Sequence, residues 1–177
     1  MKADLQPRLL GDLIELRPLH EDDWETLFQV ASDPKIWEQH PNHDRHREDV
    51  FRTFFHDAIQ SGGALVAIDR KTQRLIGSSR FVWYDREQRT IEVGWTFLAR
   101  HCWGGRYNGE MKRLMLHYAF TLARRVVFVI GSGNHRSRRA IERIGAVLTP
   151  HRETGTDAEG RAVDLVVYEI LNPNLQP

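Results

Sequence analysis

Apolar residues in this chain follow two periods, and the changes of period mark its elements. Residues 13–17 (LIELR) alternate and predict a first strand, stopped by Pro18, which has no N–H to give a sheet ladder. Over residues 20–31, Trp24, Leu27, Phe28 and Val30 take a helical spacing behind an acidic start, and the Ser-Asp-Pro at 32–34 ends the run. Residues 47–60 predict a second helix with a wide apolar stripe of Val50, Phe51, Phe54, Phe55, Ala58 and Ile59, closed by the Ser-Gly-Gly at 61–63. Three strands follow at 64–69, 75–84 and 89–98, with turns at 71–73 and 85–88, and read as an antiparallel meander.

Residues 110–123 carry the clearest helical period. Met111, Leu114, Met115, Tyr118, Ala119 and Leu122 share one face, which leaves Lys112, Arg113, His117 and Arg124 to the other. Residues 126–130 are wholly apolar and predict a strand buried on both faces. A short helix at 137–144 ends at Gly145, and residues 147–149 and 162–171 predict a last hairpin whose loop holds 157–160. Trp83 and Tyr84, ending a strand, are expected in the core or at a sheet edge. The order gives an α+β domain: a central mixed and mostly antiparallel twisted sheet of about seven strands flanked by about four helices, with one strand–helix–strand unit near the centre. No repeat, low-complexity tract or Pro/Gly-rich linker breaks residues 1–177, so they read as a single domain.

Composition adds exclusions. Hydrophobic residues make up 41% and charged residues 28%, ordinary globular values. With 25 basic against 24 acidic residues, the net charge of +1 gives no overall drive toward nucleic acid or membrane. The single cysteine, Cys102, leaves no internal disulfide. The N-terminus lacks the apolar core of a signal peptide and no apolar run approaches the ~18 residues of a membrane span, so a cytoplasmic protein is expected. His40, His43 and His46 are spaced by three, but Pro41 and Asn42 mark a loop. No metal is expected there; the loop, with Trp37, is expected to border a substrate. Cys102 beside His101 is read as a bystander, because sequence adjacency rarely gives a base the right geometry.

Two segments carry candidate chemistry. In residues 96–112 (TFLARHCWGGRYNGEMK) a strand ends, a glycine turn follows and a helix begins. The first N–H groups of a helix lack partners and sit at its positive dipole end, so a pyrophosphate fits there, with Arg100 and Arg106 flanking it. A plain strand–helix connection accounts for the glycines equally well, and the turn is neither G-x-G-x-x-G nor a P-loop. In residues 133–145 (GNHRSRRAIERIG), Asn134 and Ser137 stand at a helix start, where capping is the ordinary role. Arg136, Arg138 and Arg139 there fit a solvated face.

Taken together with the element order, R-x-x-W-G-G-x-x-N-x-E-x-K from Arg100 and N-x-R-S-x-x-A-I-E-x-I-G from Asn134 resemble the GNAT superfamily of N-acetyltransferases. The similarity is greatest to the branch that holds the N-terminal acetyltransferases of ribosomal proteins. The opening L-I-E-L-R-P-L and the Glu-Asp-Asp at 21–23 are similar to that branch too, and the resemblance spans residues 13–171. It implies a GNAT-like domain with a V-shaped splay between the strands before and after the central helix, and acetyl-CoA as acyl-donor substrate. The pantetheine arm would lie beside Trp95, Thr96, Phe97 and Leu98. Arg100, Trp103, Gly104, Gly105, Arg106, Tyr107 and Asn108 would cradle the pyrophosphate. Asn134 would contact pantetheine, Ser137 would protonate the departing thiolate and Arg138 would reach the nucleotide. Arg106 departs from the pattern, since many members have a small residue, usually glycine, there.

The implied activity is direct acetyl transfer to a primary amine, either a protein N-terminal α-amine or a small molecule, and a homodimer is compatible with it. A backbone N–H around Phe97 would stabilise the oxyanion. Ser137 or Tyr107 would serve the thiolate, and Glu92 is the candidate general base. Strand alternation puts Glu92, Gly94 and Thr96 on one face and Val93, Trp95 and Phe97 on the other. A rival reading is a non-catalytic acyl-CoA-binding domain that retains the fold. A third, an RNA-associated module using Arg136, Arg138 and Arg139, is disfavoured by the near-neutral charge.

Overall fold

A computed structural model describes residues 3–173, without the side chains of Trp83 and Tyr84, so the expectation for those two rings lies outside the described residues. Eight strands form one open sheet in the order β1-β2-β3-β4-β5-β6-β8-β7. The strands are β1 (Leu9–Leu10), β2 (Ile14–Pro18), β3 (Ala64–Asp69), β4 (Leu75–Asp85), β5 (Thr90–Leu98), β6 (Arg125–Gly131), β7 (Val147–Thr156) and β8 (Ala162–Leu171). Five helices accompany them: α1 (Trp24–Ala31), α2 (Pro34–Trp37), α3 (Glu48–Ser61), α4 (Arg106–Leu122) and α5 (His135–Glu142). Every neighbouring pair is antiparallel except β5 with β6.

The expected α+β architecture is present, with differences at element ends. The two-residue strand β1 is too short for any period to reveal. Asp33 accepts the Lys35 N–H at 3.0 Å and caps α2, so the Ser-Asp-Pro segment ends α1 and also starts a further turn of helix. Strand β7 runs to Thr156, seven residues beyond the predicted end at 149, because pairing with β8 holds a polar, exposed stretch that shows no apolar alternation. Helix α4 begins at Arg106 instead of 110, since its first turn faces open space and carries no apolar stripe.

Each sheet face carries its own core. On one face, α4 packs Met111, Met115 and Ala119 against Leu16, Leu65, Ile91, Val93 and Phe128, and Ile141 of α5 joins the same cluster. On the other, α1 and α3 bring Leu27, Phe51, Phe54 and Phe55 onto Val66, Leu75 and Phe97. Gly62, in the left-handed region at φ 62°, closes α3 as expected.

The helix α4 corrects one face assignment. Arg113 and His117 are exposed as the period requires, but Lys112 is only 4% exposed and Glu110 only 5%. Glu110 accepts the N–H groups of Asp12, Leu13 and Ile14 at 3.0, 2.8 and 2.8 Å, tying the start of α4 to the turn before β2. Lys112 turns toward the gap between β5 and β6.

Candidate active site

The site forms where two neighbouring parallel strands part. β5 and β6 pair only through Thr90–Arg125, Ile91–Val126 and Glu92–Val127, after which β5 runs on to Leu98 and β6 to Gly131 without pairing with each other. A bulge contributes to the divergence. Across β4 the register moves from Arg80–Gly94 to Ser78–Phe97, so β5 holds one extra residue, and Trp95 takes φ 51° there. Such a bulge bends a strand and increases its twist.

The bulge also resets which side chains share a face. Val93 packs on the α4 side, yet Phe97 belongs to the α1–α3 cluster, so strict alternation does not hold from 93 to 97. Thr96 turns to the α4 side, where its Oγ1 accepts from Lys112 Nζ at 2.6 Å and lies 2.7 Å from Ser79 Oγ. Thr96 is therefore not on the face of Glu92 and Gly94, contrary to the sequence expectation.

The backbone around Phe97 needs a second correction. Ala99 N–H donates to the Ile76 carbonyl of β4 at 2.8 Å. Residues two apart in an antiparallel strand turn their N–H groups the same way, so Phe97 faces its partner Ser78 on β4. Leu98 faces the open side, where its carbonyl accepts from Trp103 Nε1 at 2.8 Å. Leu98, rather than Phe97, thus turns its backbone groups toward the open side.

At the mouth of the gap stands the start of α4. Its N-cap, Gly105, supplies no side-chain cap, and a Cβ at Gly104 or Gly109 would meet nothing within 4 Å. The first-turn N–H groups face open space at the positive end of a seventeen-residue helix. Arg106 is exposed, so the bulky residue at this position leaves the turn unobstructed. Gly104 takes φ 68°, which favours glycine.

A cavity of about 1370 Å³ joins the helix start, the gap and the far side of the sheet. Of the predicted residues, Glu92, Trp95, Thr96, Phe97, Leu98, Trp103, Gly104, Gly105, Arg106, Asn108, Asn134 and Ser137 all line it. Three do not. Arg100 is ion-paired with Asp33, the cap of α2. Tyr107 Oη donates to Asp69 Oδ2 at 3.0 Å at the end of β3. Arg138 Nε donates to Tyr168 Oη at 3.0 Å and its Nη1 to the Ser132 carbonyl at 2.9 Å, so its guanidinium is held against β8. The basic residues of the cavity outside the predicted set are Arg45, Lys112, Arg113, Arg136, Arg139 and Arg143. Asn134 does cap α5, accepting the Ser137 N–H at 3.1 Å, and remains at the cavity wall.

Glu92 sits at the apex, in the last paired position before the strands part. Burial, and then Glu153 across the cavity on β7, raise its carboxyl to about 7. Glu153 was invisible to sequence reasoning because β7 was read as too short. His40 also lines the cavity, but burial and then the charge of Arg45 lower its imidazole to about 3. A base so weak is nearly useless near neutrality. The histidine triplet does not converge: His40 Nδ1 accepts the Asn42 N–H, His43 Nε2 meets Glu159, and His46 Nδ1 lies against the His43 carbonyl. Trp37 is buried among Phe51, Phe54 and Phe97, with Nε1 donating to the Ala31 carbonyl at 2.8 Å, and forms part of the cavity wall. Cys102 is buried, and burial with the Asp69 charge raises its thiol to about 11, which leaves it unreactive.

The sheet splayed after β5, with an open helix start beside it, belongs to a chain whose family sequence comparison identifies. The model for the acetyltransferase (GNAT) domain matches residues 14–147, so the chain belongs to that family and is an acetyltransferase. No curated protein matches the chain significantly. Among solved structures, a GCN5-related N-acetyltransferase from Brucella melitensis is similar with a TM-score of 0.82 at 21% identity, covering 94% of this chain and 79% of its own. The microcin C7 self-immunity acetyltransferase MccE, solved with acetyl-CoA and AMP, is similar with a TM-score of 0.76 at 16% identity over 96% of this chain and 99% of its own. A Vibrio cholerae protein provisionally named a ribosomal-protein-serine acetyltransferase has a TM-score of 0.76 at 15% identity over 94% and 98%. At these identities the structures speak for the fold. Among the described residues, no helix is long and apolar enough to cross a membrane.

Proposed function

We propose that this chain moves an acetyl group from acetyl-CoA directly to a primary amine, with Glu92 as general base. The observation that carries the reading is the position of Glu92: the carboxylate stands where β5 and β6 part, in the same cavity as the open start of α4. The residues fit the donor. Uncapped N–H groups and glycines without neighbours suit a pyrophosphate, and Arg113, Arg139 and Arg143 suit the phosphates of the nucleotide end.

Glu92, with a carboxyl near 7, takes a proton from the incoming ammonium at neutral pH. The backbone N–H of Leu98 faces the open side of β5 and is positioned to meet charge developing on a carbonyl oxygen. Ser137 offers a hydroxyl on the α5 side of the same cavity. The walls near Glu92 and Glu153 hold the acceptor as a cation before its proton is removed. The acceptor is either a protein N-terminal α-amine, as in the ribosomal-protein branch that the motifs resemble, or a small-molecule amine.

Thiol release measured across N-terminal peptides and small amines tests the activity, with thermal shift against acetyl-CoA as its binding arm. Stabilisation by acetyl-CoA with silence over the whole panel favours the rival, a binding domain that keeps the fold. No stabilisation at saturating acetyl-CoA removes both readings.

A further inference from the structure

Lys112 is a buried, charged side chain at the site that the proposed mechanism does not use. It projects from α4 into the core, is 4% exposed, and places Nζ between the diverging strands, 2.6 Å from Thr96 Oγ1 on β5 and 5.5 Å from the centre of the Phe128 ring on β6. Thr96, Phe128 and Lys112 all line the cavity. An ammonium has three donors, and one acceptor is present. Among the described residues no carboxylate lies within ion-pair distance of it. A methionine or leucine would fill this place at far lower cost, as Met111 and Met115 do beside it. A buried, underused ammonium in a gap built for a thioester calls for an anionic partner that arrives with the ligand.

We propose that Lys112 is a second catalytic residue, the group that gives its proton to the departing CoA thiolate. This rests on the reading that acetyl-CoA lies in the gap between β5 and β6. As the neutral amine attacks, the C–N bond forms and the C–S bond breaks, and sulfur leaves with the bonding electron pair. Glu92 has by then handed the proton of the incoming ammonium to solvent; the sulfur takes a proton from Lys112 Nζ, and the surplus proton on nitrogen passes to the free Glu92 carboxylate. Solvent then recharges Lys112 and discharges Glu92, so the sum is amine plus thioester giving amide plus thiol.

The setting suits a proton donor. Burial alone lowers the Lys112 ammonium to about 7. The other titratable groups lining the cavity are Arg106, Glu110 and Arg113 on its own helix, Glu92 on β5, Arg136 and Arg139 on α5, Arg143 just beyond it, Glu153 on β7, Asp12 before β2, and His40 and Arg45 after α2; β6 faces it with Phe128. None of these enters the cause of the Lys112 shift. Ser137, the sequence-based candidate for this proton, is a far weaker acid than such an ammonium.

Calorimetric titration of CoA and of acetyl-CoA, each in two buffers of different ionisation enthalpy between pH 6 and 9, reads the proposal without turnover. The thiolate of CoA pairs with the Lys112 ammonium, so wild-type protein should exchange protons with buffer on binding CoA and do so differently on binding the uncharged thioester. Lys112→Met should bind acetyl-CoA within about twofold of wild type, bind CoA at least fivefold more weakly above pH 7, and lose the difference in proton exchange. Its kcat should fall about 10²-fold with little change in KM. Identical proton exchange for CoA and acetyl-CoA in wild-type protein would overturn the proposal, and this needs no variant to fold. Equal CoA affinity in Lys112→Met and wild type would overturn it too. Failure of both ligands to bind would instead defeat the acetyl-CoA reading itself.

Discussion

Glu92 and Val127 form the last pair between β5 and β6, and beyond them the two strands no longer pair with each other. That single relationship puts an acid at the point where a thioester threaded along β5 would end. Its raised carboxyl yields two expectations of opposite sign. Activity needs the Glu92 carboxylate, so the rate should rise with pH along an acid limb of apparent value about 7, and it should fall again on the alkaline side as Lys112, also near 7, loses the proton it gives to sulfur. In Glu92→Gln the acid limb should vanish and kcat should fall about 10²–10³-fold.

Stability should move the other way. A carboxyl raised from 4.5 to about 7 binds its proton more tightly in the folded state. Wild-type stability therefore falls as pH rises from about 4.5 to 7 and is flat above. Glu92→Gln removes that loss and should be more stable than wild type above pH 7 by on the order of 1–3 kcal/mol, read by urea unfolding at pH 5 and 8. A variant that is inactive and also less stable at pH 8 would count against this environment for Glu92.

The basic residues divide into two sets. Arg113, Arg139 and Arg143 line the cavity, whereas Arg138 is occupied by Tyr168 and Ser132. Neutralising any of the first three to Gln should weaken acetyl-CoA binding roughly 3–10-fold, with a loss that shrinks at high salt. Arg138→Gln should leave that affinity unchanged and lower the melting temperature. The reverse ranking would restore Arg138 to the nucleotide.

Much of this fold was legible because it is written in periods. The alternation at 13–17, the stripe on α3 and the apolar run of β6 each report a buried face directly. The family motifs placed most of the cavity wall, since the turn before α4 and the start of α5 are local in sequence. The misses have one physical origin: they depend on where a side chain goes after tertiary packing. Arg100, Tyr107 and Arg138 have the right type and position, but Asp33, Asp69 and Tyr168 claim them. Thr96 and Phe97 were misassigned because a bulge at Trp95 adds a residue that no alternation rule can foresee. Lys112 was read as polar and therefore outward, although its position beside Met111 and Met115 is an inward one.

Tyr107 was one of two candidates to protonate the thiolate, and its hydroxyl now has another task. It donates to Asp69, and that bond, with some burial, raises the phenol further from a useful range. Tyr107→Phe should therefore keep kcat within about twofold of wild type while lowering the melting temperature slightly. A loss of tenfold or more in kcat with KM unchanged would return Tyr107 to the chemistry.

Glu110 carries the strongest structural test, because it holds the start of α4 in place. Its two carboxylate oxygens accept three backbone N–H groups from the turn before β2, and the side chain is 5% exposed. Removing them strands three buried or half-buried donors, so Glu110→Ala should lose about 3–5 kcal/mol, more than a single hydrogen bond is worth. Glu110→Gln keeps the shape but turns an NH2 toward a donor, and should lose about 1–3 kcal/mol. Gly11→Ala reaches the same contact from the other side: its Cβ would stand 2.6 Å from the Glu110 carboxyl, with no room to retreat without breaking these bonds. Urea unfolding ranks the three variants. Because the open turn of α4 is anchored here, acetyl-CoA stabilisation should fall in each even where the protein stays folded. A Glu110→Ala protein as stable as wild type would show that the turn before β2 finds other acceptors and that α4 needs no such anchor.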